Sequence, residues 1–242
     1  MERSYQDYLD ILNENLPTVR ERIAKNSREG QSVTLLCATK TVPVEVINYA
    51  IDTLGVTCIG ENRVQELLEK YDALHKDGIS IHFIGRLQTN KVKYIIDKVS
   101  LIHSVDSLRL AKEIDRQAEK HGIVMDILIE INIGREESKG GILPEEIDAF
   151  LAEITSFSHI RVKGLMVIPP AEASKEETFE YFTQTYQFFV DFCEKKVHNN
   201  INTYILSMGM SDSYADAVRA GSNLVRIGSA IFGKRSYPIK TN

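Results

Sequence analysis

The segment from Thr34 to Asn62, TLLCATKTVPVEVINYAIDTLGVTCIGEN, carries the pattern that decides the fold. Its first part, Thr34–Lys40, is a short apolar run typical of a buried strand. Pro43 suits a first helical turn, and the apolar residues after it recur at a spacing close to 3.6, which predicts an amphipathic helix. A second apolar run, Thr57–Asn62, follows. Strand, helix and strand in this order predict a βαβ unit with parallel strands.

The same alternation continues along the chain. Eight β-rich apolar runs predict strands: Thr34–Lys40, Thr57–Asn62, Ile81–Gly85, Leu101–Asp106, Met125–Asn132, Val162–Ile168, Thr203–Gly209 and Leu224–Ser229. Eight such units in 242 residues predict an α/β fold, a (β/α)8 TIM barrel. The alternative, a doubly wound open sheet, usually has fewer strands. We expect one domain, residues 1–242, with the barrel in 34–233 and an extra flanking helix in 1–30, where Tyr5–Ala24 is amphipathic.

The composition argues against several kinds of partner and site. A net charge of −5 and an isoelectric point of about 5.7 provide no basic field for nucleic acid or anionic lipid. The six histidines show no metal-ligand spacing, so no metal site is expected. The three cysteines form no C-x-x-C pair, which indicates reduced thiols. No apolar run could span a membrane and no secretion signal is apparent, so we expect a cytoplasmic protein that binds a small molecule.

The residues that end the predicted strands are the first candidates for a site, because TIM-barrel active sites lie at the carboxyl ends of the strands. These residues are Lys40, Asn62, Gly85, Asp106, Asn132, Met166, Ser207 and Gly228. Lys40 ends an apolar strand, where low-dielectric surroundings disfavour the ammonium form and lower the pKa. A free amine at neutral pH can attack an aldehyde. The alternative is a lysine that simply points to solvent.

Small polar turns follow the last two predicted strands. They are Ser207–Ser211 and Gly228–Ala230. TIM barrels frequently bind phosphate with the loops after strands seven and eight, where glycine allows backbone N–H groups to approach an anion. The two turns together favour a phosphorylated ligand, whereas singly Ser211 could be a helix cap and Gly228 a tight turn.

Arg226 places a permanent charge on a strand that otherwise suits the barrel interior. Such a charge needs a partner. If it faces a pyridine nitrogen, the guanidinium can only donate a hydrogen bond, so the ring nitrogen stays unprotonated and the cofactor becomes a weaker electron sink. The alternative is an ion pair with a nearby acid.

These features lie within motifs that extend over nearly the whole chain. The motifs are ATK (38–40), GENRVQE (60–66), HFIGRLQTNK (82–91), HSVD (103–106), GLM (164–166), LSMGMS (206–211) and VRIGSAIFG (225–233). With them the chain resembles the pyridoxal 5′-phosphate (PLP) homeostasis protein family, which is related to the N-terminal barrel domain of alanine racemase. The resemblance implies the barrel domain of the type III PLP fold, with PLP as the cofactor.

The resemblance also implies the roles of individual residues. Lys40 would form the internal aldimine, a Schiff base with PLP, and Arg226 would face the pyridine nitrogen. The phosphate would be surrounded by Ser207, Ser211, Gly228 and Ser229. Asn62 and Met166 would line the cofactor site. Ser229 stands where the family often has Thr, and its hydroxyl can make the same hydrogen bond. Lys139, in the loop Gly134–Gly141, is a candidate auxiliary amine during PLP transfer, although a solvated charged turn is the plainer interpretation.

The same features favour a carrier over an enzyme. Related racemases take a second base, a tyrosine, from an additional β domain, and the residues after Gly228 are too few for one. Tyr237 lies in that tail, where residues are usually at the surface. We therefore expect a monomeric PLP homeostasis protein that supplies PLP-dependent apoenzymes and has no catalytic residue. A small amino-acid racemase with weak activity, and an aldolase that uses the lysine without PLP, are the alternatives.

Overall fold

Eight parallel strands lie side by side in chain order and close into a barrel. The computed structural model describes residues 3–136, 138–194 and 201–234. The strands are β1 Thr34–Ala38, β2 Cys58–Glu61, β3 Ser80–Phe83, β4 Leu101–Val105, β5 Met125–Ile131, β6 Ile160–Val167, β7 Ile201–Ser207 and β8 Leu224–Ile227. All eight predicted strands are present, so the (β/α)8 TIM barrel is confirmed.

The first and last strands close the barrel. β1 pairs with β8 through Thr34↔Leu224 and the three residue pairs that follow. On its other side β1 pairs with β2, with Cys37 opposite Ile59. A doubly wound sheet would leave two edge strands unpaired, so this closure rules out the open-sheet alternative.

Helices follow most of the strands. They are α1 Tyr5–Asn26, α2 Val44–Asp52, α3 Val64–Tyr71, α4 Leu108–His121, α5 Ile147–Ile154, α6 Lys175–Glu194, α7 Tyr214–Ala220 and α8 Ser229–Phe232. Short 3-10 helices occupy Thr89–Tyr94 and Pro144–Glu146. None of the described helices is both long and apolar enough to cross a membrane.

The ends of α4 show how local sequence sets these helices. Ser107 accepts a hydrogen bond from the backbone N–H of Leu110 and so caps the first turn, one residue after the strand-ending Asp106. Gly122 ends the helix in the left-handed conformation that glycine adopts without strain. The face with Leu110 and Ile114 is buried against the barrel, as its spacing predicts.

The N-terminal helix predicted over Tyr5–Ala24 is α1. Its start is fixed by a capping box, in which Ser4 and Asp7 each accept a hydrogen bond from the other's backbone N–H. Its apolar face, which includes Leu12 and Leu16, is buried against α2, α7 and α8. The helix thus flanks the side of the barrel where β8 meets β1.

The barrel interior is filled by alternate residues of each strand, because successive side chains point to opposite faces. One interior cluster contains Leu36, Cys58 and Leu224, and a second contains Leu101, Leu128 and Met166. Cys37 and Cys58 are free, buried thiols, and burial raises the pKa of each to about 12. These two thiols therefore stay protonated at neutral pH, as expected of core cysteines.

Candidate functional site

A cavity of about 1030 Å³ opens at the carboxyl ends of the strands. Seven of the eight predicted site residues line it: Lys40, Asn62, Met166, Ser211, Arg226, Gly228 and Ser229. The eighth, Ser207, is fully buried and does not belong to the wall. The fold therefore brings together residues that are widely separated along the chain.

A strained turn presents Lys40. The turn leaves β1 through Thr39, whose backbone N–H donates to the carbonyl oxygen of Gly60 at 3.0 Å. Thr41 then has a φ of 63°, in the left-handed region that a β-branched residue rarely adopts. Its N–H donates to Glu66 Oε2 at 2.8 Å, which holds this conformation. Backbone strain next to a candidate nucleophile is typical of functional sites.

A buried ion pair supports the same turn from behind. Glu61 is 1% exposed, and its Oε1 accepts hydrogen bonds from Thr39 Oγ1 at 2.8 Å and from Lys70 Nζ at 2.7 Å. Lys70 also donates to the carbonyl oxygen of Thr39 at 3.0 Å. The position of Lys40 thus depends on a carboxylate and an amine from β2 and α3. The sequence predictions missed both residues, because they are brought together only by packing between elements.

Ser211, Gly228 and Ser229 meet where the predicted phosphate turns converge. Ser211 Oγ accepts hydrogen bonds from the N–H groups of Gly228, at 3.3 Å, and Ala230, at 3.2 Å. Ser211 therefore caps α8 rather than α7, which begins at Tyr214. The site offers hydroxyl groups and backbone donors together, the groups that bind phosphate in proteins.

Arg226 is held beneath the cavity by neutral acceptors. It is 4% exposed, and its Nη1 donates to Ser207 Oγ at 2.6 Å and to the Ser207 carbonyl oxygen at 2.9 Å. Its Nη2 donates to the carbonyl oxygen of Val167 at 3.0 Å. Burial lowers the pKa of Arg226 to about 10, and the nearby Glu130 acts against this shift. The guanidinium therefore remains charged at neutral pH, and no carboxylate binds it directly in the described part of the chain.

The hydroxyl of Ser207 lies inside the barrel. It faces Arg226 and His103, whose Nδ1 lies 3.1 Å away, inside the barrel. We attribute this to the two-residue period of β7, which puts Ser207 on the same inward face as Ile205. In this structure the Ser207 hydroxyl contacts Arg226 and His103.

Three charged residues that the predictions left without a role also line the cavity. Arg86, Asp106 and Glu130 follow or end β3, β4 and β5. The pKa of Glu130 is raised by burial and by the charge of Asp106, while Arg226 and Arg86 act in the opposite direction. Position identified Asp106 as a strand-end candidate and could have identified the other two in the same way. They leave this part of the wall charged and able to bind a polar ligand.

The strand-end candidate Gly85 also lines the cavity, whereas Asn132 and Lys139 lie outside its wall. Asn132 binds the loop after β5, because its side chain exchanges two hydrogen bonds with the backbone of Glu136. Lys139 pairs with Glu136, with Nζ 2.5 Å from Oε2, and is about one third exposed. Tyr237 lies outside the described residues. The described residues contain no cluster that could hold a metal ion.

One buried polar atom of the cavity wall lacks a hydrogen-bond partner among the described residues. Asn62 lines the cavity, and its Oδ1 is buried without a hydrogen-bond partner among the described residues. Buried polar atoms are rarely left unpaired, and the amide can present either its oxygen or its nitrogen. The backbone at Gly228 passes close to the end of β1, since a Cβ there would lie 3.2 Å from the Ala38 carbonyl oxygen. An amine, a buried cationic donor, a phosphate turn and an unpaired amide together fit a phosphorylated aromatic aldehyde such as PLP.

Proteins of known family match the chain over nearly its full length. The family profile described as alanine racemase, N-terminal domain, matches residues 9–236. Proteins named pyridoxal phosphate homeostasis protein match from several bacteria, among them Aquifex aeolicus and Escherichia coli. That of Aquifex aeolicus is 44% identical over 228 residues, covering 93% of this chain and 98% of the relative. That of Escherichia coli K12 is 38% identical over 233 residues, covering 93% and 97%.

A solved structure matches as well. PipY of Synechococcus elongatus, solved with PLP bound, superimposes with a TM-score of 0.80 and 29% sequence identity. The match covers 92% of this chain and 100% of that one.

Proposed function

The chain belongs to the pyridoxal phosphate homeostasis protein family, and from this membership we propose that it binds PLP in the barrel cavity and serves intracellular PLP homeostasis. The observation that carries the proposal is that Lys40, Arg226 and the two phosphate turns, through Ser211 and Gly228, line one cavity. PLP supplies an aldehyde carbon that bonds reversibly to an amine.

Each predicted residue has a task in this proposal. Lys40 Nζ is the amine that holds PLP covalently, and the turn around it fixes the direction of approach. Arg226 donates to the ring nitrogen. The hydroxyl groups of Ser211 and Ser229 and the backbone of Gly228 bind the phosphate. Asn62 binds a polar ring substituent, and Met166 packs against the ring.

Ser207 takes a revised task, since its hydroxyl binds Arg226. We assign it to holding the guanidinium in place, with no direct phosphate contact. Lys139 remains a candidate auxiliary amine during transfer.

We propose a carrier with no robust turnover. Because Arg226 only donates, it leaves the ring nitrogen unprotonated, which weakens the cofactor as an electron sink. We further propose that residues 1–242 form a single PLP-binding unit that works as a monomer in the cytoplasm, with α1 as its flanking helix, and passes PLP to PLP-dependent apoenzymes.

Borohydride reduction followed by peptide mapping tests the proposal. We expect a pyridoxyl group on Lys40 in the wild-type protein and a colourless Lys40→Ala variant. Lys139→Ala is the matched control and should retain the visible absorbance. An unmodified Lys40 in a PLP-saturated sample would reject the proposal, and a protein that stays colourless with added PLP would favour the aldolase.

A racemase is the second candidate, and one structural observation bears on it. Tyr8 of α1 lines the cavity and is the kind of residue that could serve as a second base. Sustained conversion of L- to D-amino acids that is lost in both Lys40→Ala and Tyr8→Phe would support the racemase. Transfer of PLP to an acceptor apoenzyme, with no such conversion, supports the carrier.

A release rate unchanged by Lys139→Ala removes the auxiliary role of that lysine.

A further inference from the structure

A line of buried polar groups runs through the barrel interior from Arg226. Arg226 Nη1 lies 2.6 Å from Ser207 Oγ, and Ser207 Oγ lies 3.1 Å from His103 Nδ1. His103 Nε2 then lies 3.0 Å from His82 Nδ1, and His82 is 3.8 Å from Cys58 Sγ. The line connects β8, β7, β4, β3 and β2 across the centre of the barrel.

The direction of every hydrogen bond in this line follows from Arg226. A guanidinium can only donate, so Ser207 Oγ accepts from it and has one proton of its own to donate. The available acceptor is His103 Nδ1, which places the proton of a neutral His103 on Nε2. His103 therefore donates to His82 Nδ1. By the same reasoning His82 carries its proton on Nε2, while Cys58 Sγ lies 3.8 Å from both ring nitrogens of His82.

Both imidazoles must be neutral for this order to hold, and their surroundings keep them so. His103 is fully buried and His82 is 7% exposed. Burial lowers the pKa of His82 to about 4. Burial also lowers the pKa of His103, and the neighbouring His82 and Arg226 lower it further. Among the described residues the hydrogen-bond partners of this pair are Cys58 and Ser207, and no carboxylate there binds either ring to favour a second proton.

The line accounts for how Arg226 is oriented. Its three hydrogen bonds to Ser207 and Val167 engage Nη1 and one N–H of Nη2. The remaining N–H groups are left for the cavity, where Arg226 forms part of the wall. If His103 Nδ1 carried its proton, Ser207 Oγ would accept from both Arg226 and His103, and the serine O–H would lose its acceptor in this line.

We propose that Ser207, His103 and His82 are positioning residues that hold Arg226 as a donor toward the ring of the bound cofactor. The proposal rests on the proposed function, because it assigns Arg226 to the ring. The hydrogen bonds inside the barrel thus keep the guanidinium of Arg226 directed at the ring nitrogen.

The first test needs no cofactor. Nitrogen NMR of the histidine side chains distinguishes the two neutral tautomers and the imidazolium. We expect His82 and His103 to be neutral, with the proton on Nε2, from about pH 5.5 to about pH 8. An imidazolium at either position, or a proton on Nδ1 of His103, overturns the proposal.

The second test breaks the line at its centre. Ser207→Ala removes the group that joins Arg226 to His103, so we expect the dissociation constant for PLP to rise about tenfold, the effect of one lost hydrogen bond to a charged group. The Arg226 Nε–H resonance should broaden, and His103 should become a mixture of tautomers. Ser100→Ala, which removes a hydroxyl just before β4, is the matched control and should change none of these.

The outcomes separate this inference from the proposed function. If the wild type fails to bind PLP, the proposed function fails, while the tautomers still decide whether the line exists. If the wild type binds PLP and Ser207→Ala changes neither the affinity nor the Arg226 resonance, the positioning role is wrong and PLP binding stands. Should Ser207→Ala not fold, His82→Gln, which retains an acceptor for His103, must preserve PLP affinity within about threefold.

Discussion

Acidification should destabilise the protein through the buried His82. In the folded chain burial holds the pKa of this imidazole at about 4, against an ordinary value of 6.5. Between these two values the unfolded chain binds a proton that the folded chain does not. Stability is therefore complete above about pH 7, falls as the pH drops through 6.5, and stops falling below about pH 4.

The size of the loss follows from the shift. A difference of about 2.5 pH units, at about 1.4 kcal/mol each, limits the contribution of His82 to roughly 3–4 kcal/mol, most of it already lost at about pH 4.5. Solvent screens the imidazole only weakly, because His82 is 7% exposed. His103 acts in the same direction, since its pKa is also lowered.

Urea unfolding of the wild type and of His82→Gln, each at about pH 7.5 and about pH 4.5, measures this contribution. The decrease in unfolding free energy should be smaller in the variant by about 2–3 kcal/mol, while other titrating groups cancel in the comparison. His121→Gln, at the exposed end of α4, serves as the control and should alter the decrease by less than about 0.5 kcal/mol. Parallel losses in the wild type and His82→Gln would show that the imidazole is not held neutral.

Three other changes test the site and its support. Lys70→Met should lower the unfolding free energy by about 3–5 kcal/mol in urea titrations, because it leaves Glu61 buried without a cation, and a second change, Glu61→Gln, should restore part of the loss. Gly85→Ala should cost about 3 kcal/mol or more in thermal unfolding, because its Cβ would lie 2.0 Å from the Asn62 carbonyl oxygen; a smaller cost would mean that this contact relaxes. Arg226→Lys should weaken PLP binding about tenfold in absorbance titrations, because an ammonium cannot reproduce the fork of three hydrogen bonds, and equal affinity would contradict that role.

The fold could be predicted almost completely from the sequence. A buried parallel strand is a nearly continuous apolar run, and the helices between the strands keep their 3.6-residue period, so both signals are local. Strand ends were less certain. The prediction extended β1 to Lys40, whereas the strand ends at Ala38 and the strained turn follows. The left-handed conformation of Thr41 has no sequence signal, because threonine is not a residue that usually adopts it.

The cavity wall was predictable wherever a site residue lies at a strand end, since topology alone brings those ends together. The residues behind the cavity wall could not be predicted in this way. Glu61 and Lys70 meet through packing between β2 and α3. His82 and His103 show no ligand spacing along the chain, and they meet because two neighbouring strands aim them at the same point inside the barrel. The two-residue period of β3 and β4 would have assigned both to the interior.

The capping of α8 by Ser211 bears on how a ligand leaves. Its hydroxyl oxygen satisfies the backbone N–H groups of Gly228 and Ala230 in the structure described above. When an anion leaves the turn, these two N–H groups therefore keep a hydrogen-bond acceptor, because Ser211 Oγ replaces the oxygen of the anion. The empty turn already has its hydrogen bonds, so under the proposed function this capping lowers the affinity of the turn for phosphate and speeds its release. In the carrier proposed above, this faster release favours transfer of the cofactor to an acceptor protein.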